Sequence, residues 1–178
     1  MDPDVYLDQL RRKHPRLRVI VKKDDTFSRV LDVAVRVVTF GTQRSYLSRY
    51  VTTIGSRIYL PEGWNERDAK SRYVTLRHEA VHLAQFERWG LVGMTVLYLL
   101  PIFPLGLAWG RARIEWEAYA ETFRATAEVH GLKAARDPAL REHVVRQFVT
   151  GAYGWMWPFA SQVNAWIDTV LEEIESSP

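Results

Sequence analysis

The spacing of apolar residues divides the chain into a mixed first third and a helical remainder. Residues 4–13 predict a short amphipathic helix that ends at His14-Pro15, because the residue before a proline disfavours helical backbone. LRVIVK (17–22) predicts a strand. Residues 26–39 set Phe27, Val30, Leu31, Ala34, Val37 and Val38 at helical spacing, and Gly41 ends that helix. Two β-rich runs, about 49–54 and 57–60, flank Ile54-Gly55-Ser56 and predict a hairpin. Asn65 or Asp68 then caps a long helix running to about Arg88. Helices follow over about 111–130, ending at Gly131, from Asp137-Pro138 to about 149, and over about 160–175. The aromatic, glycine-punctuated stretch 151–159 predicts a loop. This order predicts an α+β protein of one domain over residues 1–178. Residues 1–88 form a small sheet lobe with the long helix, 89–110 an apolar insert and 111–178 a helical lobe.

Composition narrows the class. With 178 residues, 47% hydrophobic and 25% charged, the chain can bury a sizeable core and is not disordered. Zero cysteines exclude a disulfide scaffold, thiolate metal sites and cysteine nucleophiles, so any metal must use His, Asp or Glu. Arginine outnumbers lysine 19 to 5, but a net charge of +3 without long basic runs gives no case for nucleic acid. The start MDPDVYLDQLRRKHP carries acids early and lacks the apolar region of a secretory signal, which with the missing cysteines predicts a cytoplasmic protein.

One motif carries chemistry. Residues 78–82 read His-Glu-Ala-Val-His, the HExxH pattern. Histidines at i and i+4 share one helix face and can bind a single Zn²⁺. Glu79, beside the first of them, can act as general base toward a metal-bound water. The bland alternative is a pair of structural histidines on a core helix. A catalytic zinc takes three protein ligands and keeps one position open, so a third ligand is required downstream.

RARIEWEAYAETFRATAEVHG (111–131) supplies the candidates. At about 100° per residue, Arg113, Glu117, Glu121, Arg124 and Glu128 form one charged stripe, while Glu115 falls on the apolar side with Ala112, Trp116, Ala118 and Tyr119. A carboxylate facing a core costs several kcal/mol unless it gains a cation or a proton. Zinc would be that cation, with Tyr119 as a supporting hydrogen-bond partner. A buried Arg111 or Arg77 would serve equally. Glu117 is the alternative ligand, with Glu121 one turn on.

HEAVH followed about thirty residues later by E-W-E-A-Y resembles the gluzincin branch of zinc metallopeptidases, most of all the small single-domain minigluzincins. The resemblance covers about residues 50–130. It implies a zincin-like fold in which His78, His82 and Glu115 bind zinc and Glu79 is the general base. It also implies a peptide or protein substrate, with the site between a sheet lobe and a helical lobe. Tyr119 departs from the pattern, since many members carry Asp or Asn there.

The remaining features are read around that site. SRIYLP (56–61) is a candidate edge strand to which an extended substrate could add. Tyr153, His143 and His130 are candidate donors to an oxyanion, with Tyr153 taken as the catalytic one. Tyr153, Trp155, Met156, Trp157 and Phe159 form either an apolar pocket or the packing of the last helix. The 22 residues from Trp89 to Gly110 lack any charge and match a membrane span in length. A single crossing would put Glu115 on the opposite side from the histidines, so span and zinc site exclude each other. Pro101 and Pro104 favour a turn that returns the chain, either packed on the protein or dipping into a membrane surface beside Arg88, Trp89, Trp109, Arg111 and Arg113. The reading is therefore a zinc metallopeptidase. Its rivals are a peptidase docked on a membrane through 89–110 and an inactive binding module that keeps the fold.

Overall fold

The structure, a computed structural model, describes residues 1–22, 51–99, 108–150, 156–157 and 159–177. The expected helix over 26–39, the start of the first hairpin run, most of the 151–159 loop and residues 100–107 of the insert lie outside these. Helices α1 (Pro3–Lys13), α2 (Ala69–Leu99), α3 (Trp109–His130), α4 (Leu132–Ala135), α5 (Pro138–Val149) and α6 (Ala160–Ser176) accompany strands β1 (Arg18–Val21), β2 (Thr52–Ile54) and β3 (Arg57–Leu60). The protein is thus mostly helical with one small sheet, within the α+β class. It divides into two compact units, Met1–Arg88 and Trp89–Pro178.

In the first unit, Asp2 caps α1 by accepting from the Asp4 backbone N–H at 2.8 Å, and Pro3 opens the helix, where no N–H is missed. The sheet order is β1-β3-β2, with β1 parallel and β2 antiparallel to β3. Ile54 pairs with Arg57, which leaves a two-residue turn whose Gly55 sits at φ 59°. The sequence reading of 56–61 as an edge strand is corrected here: β3 is paired on both sides. Its consecutive residues Ile58, Tyr59 and Leu60 are all buried, the pattern of an interior strand rather than of an alternating edge. Asp68, not Asn65, caps α2, accepting from the Ser71 N–H at 2.9 Å, while Asn65 lies in a 3-10 turn over Glu62–Glu66. Leu76, Ala80 and Leu83 of α2 pack with Ile58, Leu60, Trp64, Leu10 and Leu17 as this unit's core.

The helix expected to stop near Arg88 continues to Leu99, broken at Gly90 by φ 65°, ψ 175°. A residue with a β-carbon rarely adopts that conformation. In the second unit, Ala112, Trp116, Tyr119, Ala120 and Phe123 of α3 meet Val144 and Phe148 of α5, Met156, and Val163, Ile167 and Val170 of α6. The four-residue α4 was not foreseen. It follows Gly131 at φ 86°, and the Gly131 carbonyl accepts from Ala134 N–H. Among the described residues, no helix is long and apolar enough to cross a membrane.

Two outcomes test this packing. Phe123→Ala, at a fully buried position, should cost about 3–5 kcal/mol in denaturant unfolding. Partial burial, and then the Arg146 guanidinium, hold His143 below its ordinary 6.5. Because its folded pKa is lowered, the contribution is complete above 6.5 and is lost as pH falls below that toward the folded midpoint. An NMR titration should place the His143 midpoint under 6.5; a midpoint at or above it refutes the assignment.

Candidate metal centre

The α2 segment around residue 80 is helical because its core positions, Leu76, Ala80 and Leu83, recur on one face. That register fixes the neighbouring polar groups. His78 and His82 fall one turn apart, with ring centroids 5.1 Å apart and planes at 74°. His82 is buried, and His78 is partly exposed. Glu79, 5% exposed, lies toward the sheet. There the Thr53 hydroxyl on β2 donates to Glu79 Oε2 at 2.6 Å.

His82 Nδ1 lies 2.8 Å from Gln85 Oε1. An amide oxygen only accepts, so this contact puts the imidazole proton on Nδ1 and leaves the Nε2 lone pair available. Such a fixed tautomer is what a metal-ligating histidine requires.

Glu115 lies on α3 and is 4% exposed, as its place on the apolar face predicts. The Tyr98 hydroxyl donates to its Oε1 at 2.8 Å. Glu117 is instead partly exposed and faces Arg113 at 3.3 Å, as the charged stripe predicts. The two arginines considered as partners of Glu115 have contacts elsewhere. Arg111 Nε donates to the Tyr98 carbonyl at 2.8 Å. Arg77 donates to the Tyr73 hydroxyl at 2.8 Å and lies over the rings of Tyr6 and Tyr73.

One ligand atom from each of His78, His82 and Glu115 lies within 4.8 Å of the others. In a tetrahedral zinc site with bonds of about 2.1 Å, donor atoms stand about 3.4 Å apart. Two imidazoles and a carboxylate, with no thiolate, can hold a metal ion. The donor set suits zinc without excluding other first-row metals.

The other named residues lie elsewhere. Tyr153 is outside the described residues. His130 ends α3 in an exposed position, and His143 on α5 lies 3.5 Å from Gln147 Nε2. Tyr119 packs its ring 5.7 Å from that of Phe148 in the core of the second unit. Sequence reasoning missed Thr53, Gln85 and Tyr98. Gln85 could have been found, since it follows His82 by three residues on the same helix. Comparison of the chain with protein-family models, with curated proteins and with solved structures finds no match.

Thr53→Val keeps side-chain shape but removes the donor to a buried carboxylate. It should lower stability by about 1–3 kcal/mol in urea unfolding, and an unchanged midpoint would show that the bond to Glu79 contributes nothing net.

Proposed function

We propose that the protein is a zinc-dependent peptidase with a zincin-like fold of the gluzincin kind. The observation that carries this reading is the convergence of His78, His82 and Glu115 within 4.8 Å. Zinc bound there would polarise a substrate carbonyl and lower the pKa of a water toward about 7. The chain's own residues would do the rest. His82, with its proton on Nδ1, offers Nε2. Glu79, next to His78, receives the proton of the attacking water and passes it to the leaving amine. The Thr53 hydroxyl would hold Glu79 in a defined rotamer for that transfer. The substrate class in this reading is a peptide or protein.

Purified protein should carry about one zinc per chain by elemental analysis, falling to near zero in His78→Ala and Glu115→Ala and unchanged in Glu117→Ala. Retention of metal by Glu115→Ala would transfer the ligand role away from it. Glu79→Gln should keep zinc and lose peptide cleavage by 100-fold or more, the scale of a positioned general base. Wild type that binds zinc yet cleaves no peptide in a broad library would favour a binding module.

A second reading adds a membrane surface. Leu91, Val92 and Val96 are 60%, 77% and 46% exposed on the helical turns after Gly90, beside the exposed Trp89. Aliphatic residues in that position suit the interfacial region of a bilayer. Vesicles containing anionic lipid should carry the full chain upward in a flotation gradient, and Val92→Asp with Val96→Asp should abolish this. Wild type that stays at the bottom with such vesicles removes the membrane reading.

A further inference from the structure

The parallel pairing of β1 with β3 sets Arg18 directly beside Arg57. The next pair in register, Val19 and Ile58, belongs to the core of the first unit. Successive side chains of a strand alternate between faces, so Arg18 and Arg57 share the opposite face of the sheet. Both are exposed. A carboxylate on the adjoining strand is the usual neighbour of a charge in that position, and like charges directly opposite are destabilising. Here neither adjoining strand supplies one: Arg57 has Arg18 on one side and Ile54 of β2 on the other. Among the described residues, no ion pair involves Arg18 or Arg57. The backbone holds the pair in place, since the Arg18 N–H donates to the Ser56 carbonyl at 2.9 Å. The preceding residues add charge of the same sign. Residues 11–18 hold five arginines and lysines and no acid. Arg11 is paired with Asp8 at 3.0 Å, whereas Arg12, Lys13 and Arg16 are exposed with no ion pair among the described residues.

We propose that Arg18 and Arg57 form a binding site for a phosphate monoester group. A guanidinium presents a planar fork of N–H donors that takes two oxygens at once. Two forks side by side can use three acceptor oxygens and two negative charges. A phosphate monoester near neutral pH carries about −1.5 to −2 charge and three such oxygens. A carboxylate offers two oxygens and one charge. Neighbouring strands stand about 4.8 Å apart, close enough for one phosphate to bridge the two side chains. Bound phosphate would replace the missing carboxylate and turn the repulsion within the pair into a shared attraction. Arg12, Lys13 and Arg16 raise the local positive potential that draws an anion in. The site lies within the first unit and uses none of His78, His82 and Glu115, so it stands or falls separately from the metal centre.

Phenyl phosphate presents the monoester in solution, and phosphatidylcholine vesicles doped with phosphatidic acid present it on a lipid surface. Calorimetric titration of the full chain with phenyl phosphate at constant ionic strength should show saturable binding. Arg18→Gln and Arg57→Gln should each weaken it about tenfold or more. Arg57→Lys, which keeps the charge and loses the fork, should weaken it as well. His78→Ala should bind like wild type; loss there would move the phosphate to the metal centre and overturn the proposal. Binding of the vesicles alone, lost in the same arginine variants, supports the site and makes its ligand a lipid headgroup. At low salt without phosphate, Arg57→Gln should melt about 1 °C or more above wild type, because it removes a like-charge pair. Phosphate should then raise the midpoint of wild type and not that of the variant. Wild type that binds neither probe, or binds acetate as tightly as phenyl phosphate, overturns the site. So does binding that is unchanged in Arg18→Gln and Arg57→Gln.

Discussion

A carboxylate withdrawn from water must be given back its partners, and among the described residues two carboxylates are subject to that constraint. Glu79 is 5% exposed and Glu115 4%. Leaving either one bare would cost several kcal/mol, a large part of the net stability of a domain this size. Each receives a hydroxyl: Thr53 from β2 to Glu79, Tyr98 from the second half of α2 to Glu115. A hydroxyl solvates a carboxylate without cancelling its charge.

The histidine on the same helix face follows a related rule. An imidazole buried with both nitrogens uncommitted exchanges tautomers, and part of its population would present an N–H to the centre. Gln85 removes that ambiguity for His82. Its side chain is itself buried, so the contact is shielded from competing water. Thr53 beside Glu79, Gln85 beside His82 and Tyr98 beside Glu115 are thus polar partners of the site's groups, and none of the three has a place in the HExxH motif.

That is why the sequence revealed the candidate ligands better than their supports. HExxH is local: five residues on one helix carry their geometry with them. Glu115 was separable from Glu117 because an α-helix of known phase assigns every residue to a side, and a lone charge among Ala112, Trp116 and Tyr119 stands out. Thr53 and Tyr98 reach their partners across 26 and 17 residues, and no period within one element reports such a meeting. The sheet failed for the same reason. The hairpin of β2 and β3 is local and was legible from Gly55. The parallel pairing of Arg18–Val21 with Arg57–Leu60 joins segments far apart in sequence, and it converts an expected edge into an interior strand. Only the unbroken apolar run Ile58-Tyr59-Leu60 hinted at burial on both faces.

The uncharged run shows how composition alone can mislead. Read by hydropathy, it is one object of 22 residues. Read by backbone, it is cut by Gly90, and its described helical part has two faces with different demands. Met94 is buried and Tyr98 is partly buried on one side, and the close approach between Leu97 and Gly110 belongs to that side. Val92 and Val96 point the other way and stay exposed, and Leu91, at the start of this helical part, is exposed as well. A helix that served only packing would carry polar residues on its outer face, because exposed aliphatics add nothing to stability and favour aggregation. The inner face is accounted for by Tyr98 and its hold on Glu115. The outer face is not: Leu91, Val92 and Val96 would be better placed against a partner's apolar surface or a lipid interface than in water.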